Sequence, residues 1–205
     1  MRRLAYAVAL VLGFSGAAEA VPLEPYRHDP ALAREVRAIA KAAVRAYLKD
    51  GTVPTGVPPG VDKRLLVAGG AFVTYARSGK TRGCWGTVYP QEPTLAEAIG
   101  VAAVKALRYD YRHAAINASE WEGLDLFVSL VGPLTSVAQP AALSPMREGL
   151  MVTARGRGAV LLPGEARTAR YQLAECRRKA GLEPHEPVLM FRFSTVVYGP
   201  ESEAL

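Results

Sequence analysis

The chain of 205 residues has few of the side chains that hold metal ions or carry out acid–base catalysis. Its two cysteines, Cys84 and Cys176, are far apart, and its three histidines, His28, His113 and His185, each occur singly. Zinc sites place such ligands a few positions apart, and phosphate-binding loops are rich in glycine at fixed spacing. The sequence has neither pattern, so it predicts no metal site and no cofactor.

The sequence also lacks a hydrophobic run of about 20 residues, the length that crosses a bilayer. Its apolar run at the start extends only from Leu4 to Phe14, after Arg2 and Arg3, and small residues follow it up to Ala18-Glu19-Ala20. This order is typical of a secretory signal peptide with its cleavage site. We therefore expect a signal peptide at 1–20, cleavage after Ala20, a periplasmic or secreted protein and no stable membrane anchor.

Positive charge is in modest excess, with a formal net charge of +6. The basic residues gather in short groups such as "RGRG" at 155–158 and "CRRK" at 176–179. Proteins that bind nucleic acids usually combine such groups with aromatic side chains or a recognisable module. Neither accompanies these groups, so we expect solvated surface here and no nucleic-acid partner.

Hydrophobic periodicity predicts helices and strands in irregular alternation, without the repeated strand–helix units of a parallel sheet. The expected class is α+β, with a largely antiparallel sheet and flanking helices. An acidic tail is expected at 200–205. The predicted helices lie at 30–49, 95–107 and 165–179, and the predicted strands at 71–76, 81–89, 124–132, 151–154, 159–162 and 187–199.

Several segments, in order, support a family resemblance: "GAFVTYARSGK", "TRGCWGTVYP", "DLFVSLVGP", "GLMVTARGRGAVLLP", "ECRRKAGL" and "FRFSTVVYG". This series resembles the AMMECR domain family over residues 29–199. The resemblance implies a fold of two unequal subdomains and a cleft near the L-R-G-C-I-G signature, without an assigned reaction. In this chain Thr81 and Trp85 stand where the signature has leucine and isoleucine.

The resemblance also implies partners. Bacterial and archaeal relatives include the AmmeMemoRadiSam system protein A, which occurs alongside a radical-SAM protein and a Memo-like protein. Those relatives are cytosolic, whereas this chain has the pattern of an exported one. A partner of either kind would have to reach the same compartment.

The signature segment provides the expected site, formed by Arg82, Gly83, Cys84, Trp85 and Gly86. Glycines inside a strand indicate a bulge or a close approach of backbone, and a cation next to a cysteine favours its thiolate. We expect this segment to bind a small molecule or a peptide, with the arginine attracting an anionic group and the glycines exposing backbone amides.

Three alternatives remain at this point. Cys84 is either a reactive nucleophile of an enzyme, a small buried hydrophobic residue, or one half of a disulfide with Cys176, which an oxidising compartment would permit. No histidine has a recognised spacing to it, so no catalytic triad is assigned. Besides a binding protein and an enzyme, a scaffold protein is a third class of function, and it would require a large exposed apolar patch.

Overall fold

The computed structural model describes residues 21–53 and 55–200. The predicted leader, its cleavage after Ala20 and residues 201–205 of the predicted tail lie outside the described residues. Within them, no helix is long and apolar enough to cross a membrane.

The described chain divides into two compact units. The N-terminal unit consists of residues 21–132 and 196–200, and the C-terminal unit consists of residues 133–195. The chain therefore leaves the N-terminal unit after its third strand and returns to it for its last one.

The N-terminal unit contains three α-helices and four strands. They are α1 (Pro30–Asp50), β1 (Ala71–Arg77), β2 (Lys80–Thr87), α2 (Leu95–Arg108), α3 (Ala118–Trp121), β3 (Asp125–Val131) and the last strand of the chain, β8 (Thr195–Tyr198). Their sheet has the order β2-β1-β3-β8, in which β1 pairs antiparallel with β2 and with β3. The strand β2, which carries the signature segment, is thus an edge strand.

The core of this unit lies between α1, α2 and one face of the sheet. The apolar residues Leu32, Val36 and Val44 recur at helical spacing and bury one face of α1. On β1, Val73 and Tyr75 are buried on the side of the sheet that faces the helices. The Tyr75 hydroxyl donates to the Ala103 carbonyl of α2 at 3.1 Å, which fixes the helix over the strand.

Side-chain caps set the starts of the two long helices. The Asp29 carboxylate accepts hydrogen bonds from the Ala31 and Leu32 amides, each at 3.0 Å. The Thr94 hydroxyl accepts from the Glu97 amide at 3.2 Å and donates to the Glu97 carboxylate. Each cap satisfies amide groups that the first turn of a helix leaves without a partner.

The described part of the C-terminal unit has a second four-stranded sheet and one α-helix. They are β4 (Thr135–Ser136), β5 (Gly149–Ala154), β6 (Arg157–Leu161), α4 (Ala169–Ala180) and β7 (Leu189–Phe193). The strand order is β4-β7-β5-β6, and all three pairings are antiparallel. The helix α4 packs on β5 and β6 and ends at Gly181, whose φ of 65° suits the left-handed cap position.

The predicted α+β class is confirmed, with two sheets where the sequence predicted one, and two elements differ most in extent. The predicted strand 187–199 is two strands, β7 in one sheet and β8 in the other, separated at Ser194. The helix predicted at 165–179 begins only at Ala169, because the Thr168 side chain caps it by accepting from the Tyr171 amide. The continuous apolar pattern of 187–199 gives no local sign of the change of sheet.

Candidate functional site

The signature segment lies on β2, the second strand of a tight hairpin. Ser78 and Gly79 form its turn with φ values of 51° and 73°, a geometry that favours glycine. Along the hairpin Tyr75 pairs with Gly83 but Ala76 pairs with Thr81, so Arg82 has no Cα partner on β1. This extra residue is a β-bulge, and it confirms the irregularity that the glycines of the segment predict.

The bulge and the alternation along the strand place the residues of the segment on two opposite faces of the sheet. Gly83 and Trp85 lie opposite Tyr75 and Val73, on the face toward the helices. The Trp85 ring packs at the border of the core, and the Lys105 ammonium of α2 lies 5.8 Å from its centre. Cys84 lies opposite Thr74 on the other face. Gly83 and Trp85 thus lie toward the core, whereas Cys84 lies on the second face of the sheet.

The two glycines of the segment permit close packing of the protein on itself. A Cβ atom on Gly83 would lie 2.4 Å from the Ala106 carbonyl oxygen of α2. A Cβ atom on Gly86 would lie 2.2 Å from the Ala71 carbonyl oxygen of β1. The space where a ligand would have to approach the Cα of these residues is therefore occupied by backbone.

Cys84 is not part of a disulfide, its exposure is intermediate, and two polar contacts position the residue. The Thr74 hydroxyl lies 3.2 Å from its sulfur, and its own amide donates to the Asp110 carboxylate at 2.9 Å. Because this amide bonds outside the sheet, Cys84 and Thr74 form a non-hydrogen-bonded pair, the kind whose side chains come closest. The thiol is neither sealed in the core nor freely rotating.

Asp110 lies in the turn after α2 and is buried. Its side chain is only 4% exposed, and Arg112 bonds both of its oxygens, at 2.8 and 2.6 Å. Burial acts to raise the pKa of Asp110, but the hydrogen bonds from Arg112 and from the Cys84 amide outweigh it, so the pKa is lowered. The carboxylate is thus held ionised next to the edge of β2.

Arg82 is engaged within the protein. Its Nε and Nη2 atoms bond the two oxygens of Glu120 at 2.6 and 3.0 Å, and its Nη1 bonds the Ala114 carbonyl at 2.7 Å. The side chains of the pair are 24% and 17% exposed. The bidentate contact ties the bulge of β2 to α3, and an anionic ligand would have to compete with Glu120 for the guanidinium.

The charges around Cys84 therefore cancel in pairs, Arg82 with Glu120 and Arg112 with Asp110. A thiolate is favoured by a nearby cation without its own counter-ion. Here each arginine already has a carboxylate as its anionic partner. Sequence reasoning missed Glu120, Arg112 and Thr74 because only the fold brings them to the strand.

Cys176, the second cysteine, has a different environment. Its side chain is fully buried in the core of the C-terminal unit, where its sulfur lies 3.5 Å from the Leu150 carbonyl oxygen. Burial raises the pKa of this thiol to about 12. In the structure neither cysteine is in a disulfide, and the pairing of Cys84 with Cys176 that the sequence left open stays a prediction. The two residues belong to different units, each fixed by contacts of its own.

The side chains of the three histidines are exposed. His113 follows Asp110 in the same turn, its amide donates to the Asp110 carbonyl at 3.0 Å, and its side chain is exposed. Among residues 21–53 and 55–200, no group of three or more His, Cys, Asp or Glu side chains is arranged to hold a metal ion.

Comparison with known proteins gives concordant results. Residues 37–198 match the model of the AMMECR1 family. The chain is 27% identical over 158 residues to Protein CA_C1420 of Clostridium acetobutylicum, an overlap that covers 76% of this chain and 34% of that protein. The chain thus spans about a third of the length of this curated relative.

A solved structure is similar along most of its length. It is the crystal structure of the uncharacterized protein PH0010 from Pyrococcus horikoshii, with a TM-score of 0.75 and 26% sequence identity. The similarity covers 82% of this chain and 90% of that one. Family membership thus rests on sequence and on fold together.

Proposed function

The chain belongs to the AMMECR1 family, and we propose that it is an exported binding protein whose β2 strand contacts a small molecule or a peptide segment around Cys84. The observation that carries the proposal is the position of the thiol. It is partly exposed and lies on the sheet face opposite the helices, the Thr74 hydroxyl lies 3.2 Å from the sulfur, and Asp110 holds the backbone amide of the same residue. A side chain held in this way gives a contact of defined geometry.

The neighbouring charges indicate what kind of ligand this surface suits. Because Arg82 and Arg112 each have a carboxylate partner, net charge contributes little to recognition. Contacts through hydrogen bonds and apolar surface are favoured instead. Tyr109 and Tyr111, on either side of the buried Asp110, are 57% and 74% exposed and provide such surface next to the strand.

The edge position of β2 favours a peptide among these ligands. The Cys84 amide points away from β1, and in an antiparallel strand the backbone groups of every second residue do the same. Gly86 is two positions further on, so its amide and carbonyl point to the same edge. An extended peptide binds such an edge by adding a strand, and here it would pair at Gly86, because the Cys84 amide is already bonded to Asp110.

The experiment uses the two thiols as matched probes. Iodoacetamide should modify native protein at Cys84 alone, while Cys176, fully buried, reacts only after unfolding. Cys84→Ser should abolish native labelling. A ligand found by thermal-shift screening should then stabilise the natural protein and protect Cys84, and stabilise Cys84→Ser less. Native protein in which Cys84 resists labelling would contradict the proposal.

The alternative, an enzyme with Cys84 as its nucleophile, has the partial exposure of the thiol in its favour. The same labelling series, measured against pH, separates the two functions. An activated cysteine reacts with a midpoint well below about 8.5, the ordinary value for a thiol. A midpoint near that value, combined with protection by a ligand, supports a binding protein.

Export is the second part of the proposal, and the pattern of residues 1–20 supports it. Expressed in a bacterial host, the chain should lose its leader, begin at Val21 and fractionate with the periplasm. An unprocessed cytosolic chain would contradict export without affecting the Cys84 site. In that case a radical-SAM or Memo-like partner, which the family resemblance suggests, becomes the first candidate to test by co-purification.

A further inference from the structure

The outer face of α1 carries four basic side chains in a row, Arg34, Lys41, Arg45 and Lys49, which we name the basic face. They are spaced by seven, four and four positions, so at 3.6 residues per turn they lie on one side of the helix. Three are exposed and Lys41 is partly exposed. At 1.5 Å per residue the row is about 22 Å long.

This row is not neutralised by the acidic residues of the same helix. The Glu35 carboxylate accepts the Asp62 amide at 2.8 Å, and Asp50 bonds the amide and hydroxyl of Thr52 beyond the helix end. Within the described part of the chain, no ion pair involves a residue of the basic face. Arg64 and Arg82, by contrast, both bond carboxylates.

The residues between these charges are small. Ala31, Ala38 and Ala42 are exposed on the same side, whereas the large apolar side chains of α1 face the core. A helix that inserts into lipid chains presents Leu, Phe or Trp on its outer face. The basic face has none of these, so it can recognise a partner by charge but cannot insert into it.

From this arrangement we infer that the basic face docks reversibly on a membrane surface containing anionic phospholipids. The choice of membrane rests on the proposed export, because an exported chain emerges next to such a surface. A straight row of long cationic side chains, separated by alanines, fits a flat array of anionic headgroups. Each such side chain close to an anionic membrane strengthens binding about fivefold, and salt weakens the attraction.

A nucleic acid is the other extended polyanion, and the observations favour it less. Single strands are held by aromatic side chains that stack on bases, together with cations. The basic face has no aromatic side chain. The residues of the face are also outside the Cys84 site, so docking would leave that site unchanged.

The test is sedimentation of the purified protein with vesicles of phosphatidylcholine alone or mixed with phosphatidylglycerol. We expect binding to the mixed vesicles only, with loss in high salt. The variant R34Q/K41Q/R45Q/K49Q should bind on the order of several hundredfold more weakly, at about fivefold for each residue. The control K80Q/R147Q/R167Q/R170Q removes the same charge from exposed positions elsewhere and should bind nearly as well as the natural protein.

Three results would overturn the inference. The first is an equal loss of vesicle binding in the two variants, which would make net charge the cause. The second is no binding to the mixed vesicles, and the third is tighter binding to duplex DNA than to vesicles. Circular dichroism of both variants verifies that α1 is intact. Because the measurement uses purified protein, its failure is distinct from a failure of export, which is judged from leader removal and location.

Discussion

Replacing Gly83 with alanine decides whether this glycine serves the fold or a ligand. The added Cβ atom would lie 2.4 Å from the Ala106 carbonyl oxygen and 3.1 Å from the Ile116 side chain. The first contact is with the backbone of α2, which cannot rotate away as a side chain would. The strand and the helix must therefore separate, or the hairpin must shift.

Overpacking of this kind usually costs about 1–3 kcal/mol, and a backbone obstacle places Gly83→Ala near the upper value, about 3 kcal/mol. Gly123→Ala is the matched control. A Cβ atom at Gly123 would meet only the Glu120 carbonyl oxygen at an ordinary 3.8 Å. We expect its free energy of unfolding to change by less than about 0.5 kcal/mol.

Urea unfolding followed by tryptophan fluorescence measures this difference in stability for the N-terminal unit, which contains Gly83. Both tryptophans, Trp85 and Trp121, belong to that unit. The urea concentration at the unfolding midpoint should be lower for Gly83→Ala, while the slope of the unfolding free energy against urea concentration stays the same. If Gly83→Ala is as stable as the natural protein but loses ligand protection of Cys84, the packing explanation is wrong and the glycine serves the ligand.

Two further predictions concern the ion pairs of the site. Asp110→Asn should destabilise the protein by about 1–3 kcal/mol at neutral pH. Because the folded pKa of Asp110 is lowered, its contribution is present above the unfolded value of about 3.9 and is lost as the pH falls through the folded value. The difference between natural protein and variant in urea unfolding should therefore shrink in acid, and a constant difference would contradict this. For Arg82 and Glu120, a double-mutant cycle of the alanine variants should give a coupling of about 1 kcal/mol that salt weakens, and additive effects would show that the bidentate contact contributes nothing.

Local features of the fold could be predicted from the sequence because each depends on a few adjacent residues. Asp29 followed by Pro30 specifies the start of α1, and the glycines of β2 indicate its bulge. The division of segment 187–199 between two sheets could not be predicted, because apolar and β-branched residues continue on both sides of Ser194.

The partners of the site could not be predicted for a related reason. Asp110 meets the Cys84 amide from 26 positions away, and Glu120 meets Arg82 from 38 positions away. These contacts depend on the path of the chain after α2. The sequence identified the strand that carries the thiol, but the neutralised charges around it follow from tertiary structure alone.

The return of β8 to the first sheet has a consequence for the order of folding. This strand lies beside β3 although 63 residues of the C-terminal unit intervene, and the Tyr198 hydroxyl donates to the Tyr26 carbonyl across 172 positions. Contacts so distant along the chain form late. A ribosome must therefore release nearly the whole polypeptide before β8 can complete the first sheet.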